Sequence, residues 1–141
     1  MDTGADTERR RLLRQGALFL FLSVFMGIII ASPVPNPRKW LAVHLTGILT
    51  GLLLVAAGSV WRDLTLPAGQ RIAAHRLLLV AAWAGLAFGV YAAVVDFPGP
   101  ALDPGRQPGA TWEYIPFVGF LLAIVPSTLA ATFLMWKGLR D

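Results

Sequence analysis

Charged residues are absent from four long stretches of this chain: residues 15–36, 40–61, 77–95 and 114–136. Each is close to the roughly 20 residues that cross the apolar core of a bilayer. None carries the polar stripe, recurring every three to four positions, of a helix that packs in water. The pattern predicts an all-α integral membrane protein, a single domain over residues 1–141 built as a four-transmembrane-helix bundle. The predicted spans are about 15–33, 40–61, 75–95 and 114–136.

Composition supports this reading. Hydrophobic residues make up 56% of the chain and charged residues 14%, and the mean hydropathy of +0.64 lies outside the soluble range. Arg9, Arg10, Arg11 and Arg14 precede the first apolar stretch as they would in a signal peptide. No small-residue cleavage site follows, and three further spans remain in either case. The chain has no cysteine, which excludes disulfides and thiolate metal sites. The net charge of +4 comes from residues at helix ends, where they meet a lipid surface, so no nucleic-acid partner is expected.

The same basic residues predict orientation. Arg9, Arg10, Arg11, Arg14, Arg62, Arg71, Arg76, Lys137 and Arg140 would share one side, and Arg38, Lys39 and Arg106 the other. Basic loops stay in the cytoplasm, so both termini are expected there. The proline-rich loop 32–39 predicts a tight connection between antiparallel neighbours. The loop 96–113, with prolines at 98, 100, 104 and 108, has the length of a lid or a disordered segment. Trp40, Trp61, Trp112 and Trp136 fall at span boundaries and read as interfacial anchors. Trp83, inside the third span, reads as packing.

His44 is the most informative residue, because an ionisable group about four residues inside a span is rare and usually functional. Gly47, Gly51, Leu54 and Gly58 continue its helix face. Gly47-x-x-x-Gly51 permits a close helix approach. It also leaves room for a flat group against the backbone, and haem with His44 as proximal ligand fits that description. His75, beside Arg76 at the cytoplasmic end of the third helix, is too far from His44 to share an iron and reads as an interfacial histidine. Met26 could reach the depth of His44 as an axial ligand, or serve as core packing. Tyr91, five residues inside the boundary carboxylate Asp96, is either an anchor or a hydrogen-bond donor at the depth of His44. Thr50, Ser127 and Thr128 are polar groups nearer mid-membrane, and Pro126 frees a backbone carbonyl close by.

The segment Asn36-Pro37-Arg38, Leu41, His44, Gly47, Thr50-Gly51, ending at Trp61, resembles hydroxylaminobenzene mutase, a small four-span bacterial membrane enzyme. From His44 to Gly51 it also resembles styrene oxide isomerase, with weaker support from Tyr91-Ala92. The resemblance implies a multi-pass isomerase of the bacterial inner membrane, a homotrimer holding haem b. It implies His44 as iron ligand, with Gly47 and Gly51 beside the cofactor and Thr50 and Tyr91 toward a small aromatic substrate. The implied reaction is arylhydroxylamine to aminophenol, or alternatively epoxide to aldehyde, with ferric haem as Lewis acid. Thr50 stands where styrene oxide isomerases carry an asparagine, and Ala92 and Ala93 follow Tyr91 where a further asparagine is expected. Three other readings compete: a haem electron-transfer subunit, which needs a second axial ligand; a small multidrug transporter, which needs a carboxylate the first span lacks; and a structural membrane protein.

Overall fold

The computed structural model describes residues 3–33, 35–96 and 114–140. Helix α1 runs Thr3–Ile30, α2 Pro37–Val60 and α3 Ala68–Val94. The fourth segment is made of α4, Ile115–Gly119, a π-helical stretch Phe120–Ile124, and α5, Val125–Arg140. Together they supply four helices long and apolar enough to cross a membrane. Of the loop 96–113, read above as a lid or a disordered segment, residues 97–113 lie outside the described residues, Trp112 among them.

The helices outrun the charge-free stretches because Arg, Glu and Gln are good helix formers and do not end a helix. So α1 begins at Thr3 rather than near residue 15, and α3 at Ala68 rather than 75. Residues 37–39, expected in the first loop, instead form the opening turn of α2. Pro37 sits at a helix start, where a missing N–H costs nothing. Asn36 precedes it with φ 57°, a left-handed conformation that Asn tolerates better than most residues.

Antiparallel α1 and α2 pack along their length through a stripe of small residues. A Cβ on Gly16 would lie 2.8 Å from the Gly51 carbonyl oxygen, and one on Gly51 3.0 Å from that of Gly16. Further along, the missing side chain of Gly58 is replaced by Leu13, and that of Gly47 by Ser23. The bundle is inside-out relative to a soluble protein. Large apolar residues such as Phe21, Leu49 and Leu122 face outward, at 67%, 68% and 74% exposure, while small residues line the helix contacts.

The densest core lies at the end of the bundle where α2 gives way to α3. Leu12, Leu54, Leu78 and Ala131 share one buried cluster with Trp61, which is completely buried. Its indole N–H donates to Glu8 Oε2 at 3.1 Å, and Arg71 Nε donates to the same oxygen at 3.1 Å. Trp61 is therefore no interfacial anchor. A partner 53 positions away pulls it inward. His75 is likewise not interfacial: it is buried edge-on to Trp61, at 6.0 Å between ring centres. Trp136, by contrast, is half exposed under the Arg140 guanidinium, as a boundary residue would be. Thr65, in the extended turn before α3, donates through both backbone N–H and hydroxyl to the Gly138 carbonyl, tying this end to α5. Glu8→Ala removes the oxygen that accepts from both the indole N–H and Arg71 Nε. It is expected to cost about 2–3 kcal/mol, read as a lowered unfolding midpoint in detergent.

Candidate active site

Two features flank α2 on different sides. On the side facing α3 and the fourth helical segment lies a cavity of about 400 Å³, within the range of ligand pockets for small organic molecules. Its wall is largely apolar: Val43 from α2, Leu86 and Phe88 from α3, Phe120 and Ile124 from the π-helical stretch. Phe19 closes it from α1, held edge-to-face against Trp83 at 5.0 Å. Gly85 and Gly89 keep the α3 wall bare. A Cβ at either would meet only ordinary contacts, at 4.0 Å and 3.5 Å, so space rather than crowding lies beyond them. The hydroxyls of Thr46 and Thr50 supply polarity along the α2 wall.

The π-helical stretch has a local cause. Pro126 carries no N–H, so the regular ladder cannot run through it. One residue earlier, Val125 N–H bonds the Phe120 carbonyl, five residues back. Such one-turn π segments recur at functional sites, and here the stretch supplies Phe120 and Ile124 to the cavity.

At the end of the cavity where α2 begins stands Lys39, buried to 7% exposure and ion-paired with Asp96 at the end of α3. A cation in the first turn of a helix opposes the macrodipole and is costly to bury. The Asp96 carboxylate offsets both. Asp96 holds φ 57° just past the last turn of α3, which turns its side chain back toward α2.

The second feature is His44, half-buried on the side of α2 that faces α1. Its Nδ1 lies 2.6 Å from the Ser23 carbonyl oxygen. A carbonyl only accepts, so Nδ1 carries the proton, and in the neutral ring Nε2 presents a lone pair. Ser23 itself is fixed, its hydroxyl donating to the Phe19 carbonyl at 2.7 Å. Gly27 makes room for the ring, since a Cβ there would lie 3.0 Å from His44 Cε1. An imidazole oriented through Nδ1 by a backbone carbonyl is the usual arrangement of a metal-binding histidine.

The expected site residues therefore divide. Thr50 and Gly47 line the cavity. His44 lies on the α1 side, and Gly51 serves the α1–α2 contact. Tyr91 is half-buried on α3 but is not among the lining residues, and Met26 is half-buried on α1. Lys39, Ser23 and Gly27 escaped the sequence reading. The signal for Ser23 and Gly27 was their placement, with Gly16, on one face of α1. For Lys39 it was a lysine and Asp96 at the same end of two antiparallel helices.

An all-α bundle with four membrane-length helices, an apolar chamber and one oriented histidine defines a small helical protein of membrane-spanning type. Residues 8–139 match the family model described as styrene oxide isomerase, and the chain belongs to that family. Over 65 residues it is 40% identical to hydroxylaminobenzene mutase HabB of Ectopseudomonas oleovorans, a match spanning 46% of this chain and 39% of HabB. Over 132 residues it is 29% identical to hydroxylaminobenzene mutase HabA of the same organism, covering 91% of this chain and 96% of HabA. Isomerase and mutase both denote an enzyme that rearranges one substrate, and the chain is thereby placed among isomerases.

Proposed function

We propose that this protein is a membrane-embedded isomerase that converts an arylhydroxylamine to an aminophenol. The observation that carries this reading is the apolar, hydroxyl-edged cavity, in a chain whose relatives HabA and HabB are hydroxylaminobenzene mutases. In that reaction the N–O bond breaks, a ring C–O bond forms, and the hydrogen displaced from the ring is balanced by one gained at nitrogen. No oxidant or reductant enters. Positive charge spreads into the ring as the N–O bond breaks, and water would trap it. An apolar wall keeps water out, while Thr46 and Thr50 place hydroxyl-bearing side chains along the α2 side of the cavity.

His44 is proposed to hold haem b. Its orientation fits, because Nδ1 is committed to a backbone carbonyl and Nε2 is left as the ligating atom. Among the described residues no group of three His, Cys, Asp or Glu could hold a bare ion. A porphyrin, which brings its own nitrogens, asks only for the single imidazole present. When bound, ferric haem supplies a Lewis acid for the substrate oxygen. His44 lies across α2 from the cavity, so a second copy of the chain is proposed to complete the site, in a homotrimer as the family likeness suggests. The outward apolar face of α2, with Leu41, Leu45 and Leu49 at 46%, 50% and 68% exposure, would be covered by lipid or by that copy.

The reading is tested on protein purified in mild detergent, by its Soret band and by conversion of phenylhydroxylamine and styrene oxide. Turnover of neither would overturn it, and turnover of the epoxide alone would favour the alternative rearrangement. Gly85→Leu, which fills the cavity from a wall with space before it, is expected to lower turnover at least tenfold with the Soret band unchanged. Both termini are proposed to be cytoplasmic. A reporter fused after Asp141 is expected to be active only in its cytoplasmic form, and periplasmic activity would reverse the topology.

A further inference from the structure

Among the described residues that line the cavity, Lys39 is the only charged one, and it stands at one end rather than on a side wall. Eleven residues separate it from Thr50 on the same helix, roughly 16 Å at 1.5 Å per residue. The cavity thus has a lysine, ion-paired with Asp96, at one end, threonines along the α2 wall, and an aromatic and aliphatic remainder. Burial makes that charge effective. A cation of 7% exposure, in surroundings of low polarisability, interacts with a nearby ligand far more strongly than a solvated one. Asp96 holds the ammonium in place across the gap between α2 and α3. Replacing the ion pair with apolar residues would be cheap in stability, so stability alone does not call for a buried lysine here.

We propose that Lys39 is a specificity-determining residue that binds the oxygen-bearing end of an aromatic ligand and so fixes which way round the ligand enters the cavity. An ammonium donates hydrogen bonds and never accepts them. It therefore selects an oxygen with available lone pairs, as in a hydroxylamine or a phenol, over a hydrocarbon edge of equal size. The ring is left against the apolar wall formed by Leu86, Phe88 and Ile124. This inference rests on the proposed function for its substrate class, but the binding preference itself does not require that reaction.

The test compares phenol and toluene, which have the same number of non-hydrogen atoms, by equilibrium dialysis against the full chain in detergent. Each ligand's affinity for a variant is taken relative to that for the unaltered protein, which cancels partition into micelles. Lys39→Met is expected to weaken phenol roughly tenfold, the loss of one charge-assisted hydrogen bond, and to leave toluene unchanged. Lys39→Arg is expected to restore most of the difference. Equal weakening of both ligands, or no change in either, would overturn the proposal, because a residue that only shapes the cavity treats them alike. If Lys39→Met does not fold, the double variant Lys39→Met/Asp96→Leu removes both charges and should show the same loss. Retention of phenol preference by that variant would overturn the proposal equally. Failure of the unaltered protein to convert phenylhydroxylamine would sink the mutase reading and leave the dialysis result standing.

Discussion

His44→Ala is expected to abolish the Soret band and to lower turnover by at least about a hundredfold, the upper end of what even an outer partner of a metal ligand contributes. The protein should still insert and remain folded, since His44 is half-buried and its ring bonds a backbone carbonyl. A companion variant separates ligation from mere presence. In Gly27→Val the histidine is retained, but a Cβ would stand 3.0 Å from its Cε1, and the branched side chain adds bulk beside the ring. That variant should lose haem or shift the Soret maximum with His44 intact. Full haem occupancy and normal turnover in His44→Ala would leave the histidine a packing residue, bonded across α1 and α2.

Gly51→Val should damage folding severely. A Cβ at Gly51 would meet Leu20 Cγ at 2.8 Å and the Gly16 carbonyl oxygen at 3.0 Å, and the second of these is backbone that cannot swing aside. Overpacking of this kind costs about 1–3 kcal/mol, and two facing backbones place Gly51 at the upper end. The expected result is a lowered thermal or detergent-unfolding midpoint with loss of activity in proportion. Gly69→Ala is the control. Nothing lies within 4 Å of its Cβ position in the first turn of α3, so the change should be neutral or slightly stabilising. Equal behaviour of the two variants would mean that α1 and α2 do not meet through this stripe.

The four membrane-length helices were legible because hydrophobicity over such a length is a local property that needs no partner to be read. Helix ends were less so: charge marks where lipid would stop, and Arg9 to Arg14 sit inside a helix as readily as outside one. The glycine face of α2 announced a close approach without saying to what. Its occupant is α1, through Gly16 and Ser23, while the cavity formed on the far side around Thr46 and Thr50. Trp61 illustrates the limit most sharply. Its position at a span boundary suited an anchor, and only the fold brings Glu8 within 3.1 Å to bury it. Lys39 was counted as a topology marker because the carboxylate that explains it lies 57 positions away.

The π-helical stretch Phe120–Ile124 has a consequence for how such chains can vary in length. A π turn accommodates one residue more than a regular helix would over the same rise. Removing one residue there would let the segment settle into α-geometry while Val125–Arg140 kept its phase against α3. Elsewhere in the bundle a deletion would rotate everything beyond it by about 100°. Phe120 and Ile124 would be re-aimed in the process, so at this point the chamber can be resized by an insertion or deletion that leaves the rest of the helix packing in register.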